Sequence, residues 1–206
     1  LVCGPSAGWT TSQEFCAAAF EGNLEAVKKF IRDGIDIDYQ CPTSKWTATA
    51  LFFASQDGHT EVVRWLIEAG ADANTVDHQG ASPLYVAAQE NHDDVVRLLL
   101  AEVDPRGSIL PSTGAGPLHL AAQLNSTAAL SVLLDDGRLN INGPADNGAT
   151  PLHFAAQYGS LRAAEALVRY GADASIAFNG KTPADVASRN GHDEVAALLK
   201  EAERNP

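Results

Sequence analysis

The chain has 206 residues, 45% of them hydrophobic and 19% charged, with a formal net charge of −12. That balance is globular rather than disordered, and it excludes the basic surface that nucleic acid or anionic lipid requires. Three cysteines, Cys3, Cys16 and Cys41, form no CxxC pair, so no disulfide framework is expected and a reducing setting, cytoplasmic or nuclear, is implied.

The opening residues, LVCGPSAGWT, have neither the basic nor the apolar region of a signal peptide, and no apolar run reaches membrane-spanning length. Methionine is missing throughout, even at position 1, as expected for a processed or excised piece of a longer product. From residue 11 the chain becomes self-similar. TSQEFCAAAFEGN at 11 and TATALFFASQDGH at 47 are weak copies of GASPLYVAAQENH at 80, GAGPLHLAAQLNS at 114, GATPLHFAAQYGS at 148 and GKTPADVASRNGH at 180. Aligning Gly22, Gly58, Asn91, Asn125, Gly159 and Gly191 gives spacings of 36, 33, 34, 34 and 32, a period that signals stacked supersecondary units. The approximate repeats are 11–43, 44–76, 77–110, 111–144, 145–176 and 177–206. Residues 1–10 form an extension before the first repeat, and Trp9 is expected to pack over that repeat.

Within a repeat the elements follow from local chemistry. Ser82, Thr150 and Thr182 are N-caps whose hydroxyls accept from first-turn N–H groups. Pro83, Pro151 and Pro183 follow where a missing N–H costs nothing, and Gly116–Pro117 is the same device with a weaker cap. A short alanine-rich helix leads through the Gly/Asn turn to a second helix with apolar residues at helical spacing, such as Val95, Val96, Leu98 and Leu99. Gly34, Gly70, Gly137 and Gly171 end second helices, and Gln79–Gly80, Asn147–Gly148 and Asn179–Gly180 close extended hairpins. Two repeats depart from this scheme. Val103 stands where a glycine should end the third second helix, followed by DPRGSILPS, and the first repeat carries three extra residues in IDIDYQCPTSKW. Both connections should be longer and less regular than the others.

Helix, turn, helix and hairpin at this period, with TPLHFAAQYG and EALVRYGADAS, resembles the ankyrin repeat family over residues 11–203. The resemblance implies an all-α solenoid of six repeats that curves and binds another protein through its concave face. It implies no cofactor, no metal and no catalysis, and a monomer is expected. Carried over position by position, the contact face comprises the ends of the first helices and the hairpin tips. The helix ends contribute Gln56, Asp57, Gln89, Glu90, Gln123, Leu124, Gln157, Tyr158 and Arg189. The tips contribute Lys45, Trp46, His78, Gln79, Asp146, Asn147, Phe178 and Asn179. Soluble helix faces need glutamines, so Trp46, Leu124, Tyr158 and Phe178 are the more telling positions. An alternative use is a regulatory or scaffolding domain that masks or oligomerises with other parts of a longer protein.

His153 invites a catalytic or metal-binding reading. Its column, however, reads Cys16, Phe52, Tyr85, His119, His153, Asp185. Helices spaced roughly 8–10 Å apart let at most two members share an ion, and zinc needs three or four ligands. The family implies instead a hydrogen bond between adjacent repeats through the neighbouring threonine. His59 and His192 are expected as turn or capping residues. Asn74 and Asn142, each eight residues after a leucine, resemble hydroxylation sites in the family but also recur for structural reasons. Residues 1–103 carry 15 acids against 6 bases and residues 104–206 carry 11 against 8. A basic contact surface on the partner would suit that imbalance.

Overall fold

The computed structural model describes residues 11–42 and 47–205; Cys3, Trp9, Lys45 and Trp46 lie outside them. The described residues form two compact units, one ending at Val103 and one beginning at Asp104. The division falls where the repeat loses its helix-ending glycine.

The first unit holds α1 (Thr11–Phe20), α2 (Leu24–Arg32), β1 (Cys41–Pro42), β2 (Thr47–Ala48), α3 (Ala50–Gln56), α4 (Thr60–Glu68), α5 (Pro83–Gln89) and α6 (Asp93–Glu102). First helices α1, α3 and α5 pack in series, as do second helices α2, α4 and α6. The second unit starts with a 3-10 turn, Pro105–Gly107. It continues with α7 (Pro117–Gln123), α8 (Thr127–Asp136), α9 (Pro151–Tyr158), α10 (Leu161–Arg169), α11 (Pro183–Arg189) and α12 (Asp193–Arg204). There α7, α9 and α11 form one layer and α8, α10 and α12 the other. The chain is an all-α repeat fold.

The helix starts obey the sequence. Thr49 and Ser82 accept from Phe52 N and Tyr85 N at 3.2 and 3.1 Å, and Pro83, Pro117, Pro151 and Pro183 occupy first positions. Ala54, Ala87, Ala121 and Ala155 are fully buried between neighbouring first helices, where a larger side chain would hold the backbones apart. Leu51, Leu66, Leu84 and Leu99 fill the first unit, and Leu130, Leu133, Leu152 and Leu167 the second. Shortening any of them to alanine should cost about 2–5 kcal/mol.

A second device joins successive repeats. At Gly58 the backbone is left-handed, φ +72°, and a Cβ there would lie 2.5 Å from the His92 ring. The ring can lie against the turn only because that turn is glycine, and its Nε2 meets Gln56 O at 3.0 Å. Gly22 with His59 and Gly159 with His192 repeat the arrangement, the imidazoles reaching Phe20 O at 2.7 Å and Gln157 O at 3.1 Å. His59 and His192 do stand at the helix starts, yet neither makes a capping hydrogen bond. Their rings are spent on the preceding repeat. Where Asn125 replaces glycine, the following repeat offers Ser160 instead of histidine. Asn125 Oδ1 accepts from Ala163 N at 2.9 Å and Ser160 Oγ donates to Gln123 O at 2.8 Å.

Two expectations need correction. Cys16 and Cys41 form a disulfide, with Cα atoms 6.1 Å apart across 25 residues. Counting cysteines missed it because the pairing is positional: the column occupied by Cys16 faces the hairpin that comes after it, and Cys41 lies on that hairpin. The tips at 77–81 and 145–149 are tight turns rather than extended hairpins. Asp77 Oδ1 accepts from both Gln79 N and Ala81 N, and Asn147 Oδ1 from Ala149 N, taking amides that a strand ladder would use. Phe178–Lys181 is a true bridge, with Asn179 and Gly180 both at positive φ as a tight hairpin turn requires. Phe178 on that bridge is half-buried, its ring standing edge-on to His153 at 5.9 Å.

Candidate functional site

His153 is 2% exposed, held in the first turn of α9. Its Nδ1 accepts from Thr150 N at 3.3 Å and lies 2.9 Å from Thr150 Oγ1. The proton therefore sits on Nε2, which donates to Lys181 O of the next repeat at 3.3 Å. Burial pushes its pKa down, with the Lys181 carbonyl acting in the opposite sense. A neutral ring spanning two main chains is a brace, and both its nitrogens are used. Among the described residues no three His, Cys, Asp or Glu side chains gather closely enough to hold a metal.

The outward positions behave differently. In the first unit Gln56 and Gln89 end α3 and α5 half-buried, followed by exposed Asp57 and Glu90. Gln89 Nε2 donates to Glu90 Oε1 at 2.8 Å, so this pair is tied at the surface. Burial raises the Asp57 carboxyl, opposed by the nearby His59 and His92. His78 and Gln79 stand exposed on their turn, which is pinned to the preceding hairpin by His78 N donating to Thr47 O at 3.2 Å. In the second unit Gln123 is half-buried, whereas Gln157 and Arg189 are exposed at the ends of α9 and α11. Asp146, Asn147 and Asn179 project from turns, with Asp146 N bonded to Thr113 O at 3.0 Å. Beside them Leu124 and Tyr158 are 48% and 51% exposed, at equivalent places on the packed helices α7 and α9.

Sequence reasoning overlooked a groove of about 550 Å³ between α4 and α6, lined by Thr60, Glu61, Arg64, Asp94, Arg97 and Leu98. Its arginines are matched by Glu61 and Asp93 at 3.7 and 3.8 Å, which leaves little net charge to recruit an ion. Asn142, singled out by its spacing from a leucine, uses its Oδ1 to accept from Asp173 N of the next repeat at 2.9 Å.

A family profile described as ankyrin repeats, three copies, matches residues 15–109, 101–178 and 118–206. The chain belongs to the ankyrin repeat family. Ankyrin repeats generally mediate protein–protein interaction, so the outward positions are the natural place to look for contact. Among curated proteins, the human protein phosphatase 1 regulatory subunit 27 is 38% identical over 66 residues, 32% of this chain and 41% of that protein. The human 26S proteasome non-ATPase regulatory subunit 10 is 34% identical over 76 residues, 37% of this chain and 33% of that protein. Phosphocholine transferase AnkX of Legionella pneumophila is 36% identical over 72 residues, which are 7% of its length. The matched stretch thus spans less than half of each relative.

Proposed function

We propose that this ankyrin chain is a non-enzymatic binding module for another protein. Contact is made, within each unit, by the ends of the first helices and the neighbouring turns. The observation that carries the reading is the pair Leu124 and Tyr158, half-exposed on adjacent packed helices amid polar neighbours. Large apolar side chains exposed side by side suit an interface, and tyrosine is enriched among energetic anchors. Gln157, Arg189, Asp146, Asn147 and Asn179 supply a polar rim in the second unit. Gln56, Asp57, Gln89, Glu90, His78 and Gln79 supply one in the first. The partner presents basic groups to the acidic first half, and the module acts as a monomer.

The test is capture of partners from lysate, identification by mass spectrometry, and titration of the purified partner against wild type and L124A/Y158A. Affinity should fall by about 2 kcal/mol or more, roughly thirtyfold, while stability changes by about 0.5 kcal/mol per site. Unchanged affinity for every captured partner would refute this face. The proposal includes a cytoplasmic or nuclear setting, in which the Cys16–Cys41 pair would be reduced. Alkylation of freshly lysed cells followed by intact-mass measurement checks it, and a chain that keeps the bond belongs to an oxidising compartment instead.

A further inference from the structure

Four asparagines stand directly before a glycine: Asn142, Asn147, Asn179 and Asn190, all in the second unit. Asparagine is a chemically labile residue, and a following glycine exposes its weak point. The glycine amide nitrogen, unshielded by a Cβ, can approach the asparagine Cγ and close a five-membered ring. Whether it does so in the folded chain depends on what holds the two reacting groups.

At three of the four pairs both groups are held. Asn142 Oδ1 accepts from Asp173 N and Gly143 N donates to Asn140 O, each at 2.9 Å. Asn147 Oδ1 accepts from Ala149 N at 2.9 Å, and Gly148 N donates to Ala145 O at 2.8 Å. Asn190 Nδ2 donates to Val186 O at 2.9 Å, and Gly191 N to Ser188 O at 3.3 Å. Asn179 and Gly180 differ. Among the described residues neither the Asn179 carboxamide nor Gly180 N makes a hydrogen bond. Both residues are exposed, and the space a Gly180 Cβ would occupy is open to 4 Å beyond its chain neighbours. They are the two central residues of the turn that closes the Phe178–Lys181 bridge, at φ +50° and +69°. Two hydrogen bonds hold that turn, Phe178 N to Lys181 O at 2.8 Å and Lys181 N to Phe178 O at 3.0 Å. A local opening that lets the Asn179–Gly180 peptide rotate into ring-closing geometry therefore breaks few bonds.

We propose that Asn179 is a site of spontaneous deamidation. Gly180 N bonds to Asn179 Cγ, the Cγ–Nδ2 bond breaks, and the Gly180 amide proton leaves with the departing nitrogen as ammonia. Water then opens the cyclic imide at one carbonyl or the other, giving aspartate or isoaspartate. The chemistry does not rest on the proposed contact face, although either product adds a negative charge to its rim. The isoaspartyl form also inserts a methylene into the main chain of the turn, which parts the Phe178–Lys181 pairing. Lys181 O accepts the His153 Nε2–H at 3.3 Å, so the brace between the last two repeats loosens with the turn.

The test incubates the whole chain at mildly alkaline pH, folded and in urea, and then digests it in mild acid. Peptide mass mapping follows the exchange of NH2 for OH at each asparagine. In the folded chain position 179 should convert roughly tenfold faster than 142, 147 or 190. In urea the four rates should draw together. A folded-state rate at 179 no higher than the others, or the same spread of rates in urea, would overturn the proposal. Hydrogen exchange at the Phe178 and Lys181 amides should quicken as conversion proceeds. N179Q, whose longer side chain closes a ring far more slowly, should keep slow exchange through the same incubation. Exchange that stays as slow in the converted chain as in N179Q would overturn the loosening of the brace.

Discussion

At the scale of single residues, buried histidines here are judged by what each ring nitrogen touches. His153→Ala leaves Lys181 O without its donor and removes a ring packed on Phe178, so it should cost about 1–3 kcal/mol in chemical denaturation. Partner affinity of the folded fraction should be unchanged. His119 and His153 are both pushed below the ordinary imidazole pKa, by burial first. The unfolded chain therefore binds protons that the folded chain refuses. Their contribution is complete above about pH 6.5 and is lost as pH falls through the folded values. Denaturation at pH 7.5 and pH 5.5 should show wild type losing stability on acidification. H119Q/H153Q, weaker at both, should lose less between them. The bracing role of His153 was legible from its column, whose other members are not all imidazoles. That the His119 Nε2 finds no hydrogen-bond partner among the described residues was not, because it turns on whether the following hairpin brings a carbonyl within reach.

At the scale of elements, the helices and their order could be read because their signals are local: hydroxyl, proline, alanine and glycine within a dozen residues. The disulfide could not be read from a count of three, although Cys16 and Cys41 occupy positions that the repeat brings together. Closing that 25-residue loop should stabilise the first unit by about 3 kcal/mol. Denaturation with and without reductant measures the difference, and intact mass should rise by two hydrogens on reduction. Exposure, by contrast, could be read from the repeat register, which set Leu124 and Tyr158 at outward helix ends, where both stand in solvent. Leu120, inside α7, is half-buried. The Gly58–His92 contact yields a sharper measurement. Gly58→Ala meets both a left-handed φ and the imidazole, whereas in an H92A background only the backbone penalty, roughly 1–2 kcal/mol, persists. A double-mutant cycle should return a coupling of about 1 kcal/mol or more. Equal costs of G58A in both backgrounds would show that the ring and the turn are not matched.

For the molecule as a whole, charge is distributed as unevenly as structure is regular. The first half carries a net −9 (15 acids, 6 bases) and the second −3 (11 acids, 8 bases). If the partner is basic, raising salt should slow association more than it speeds dissociation, which stopped-flow mixing would resolve. The turn-and-ring pairing, finally, sets a grammar for how such an array can grow. A repeat copied in tandem sets its own second-helix start against its own turn. The repeat containing Gly58 and His59 would then seat a histidine on a glycine, and the one containing Asn125 and Ser126 would seat a serine on an asparagine, each a combination already used in the chain. The repeat containing Asn91 and His92 would instead thrust an imidazole at an asparagine side chain. The one containing Gly159 and Ser160 would leave a serine facing a bare turn. Lengthening by duplication is therefore open to some repeats and closed to others, and the two residues at each turn say which.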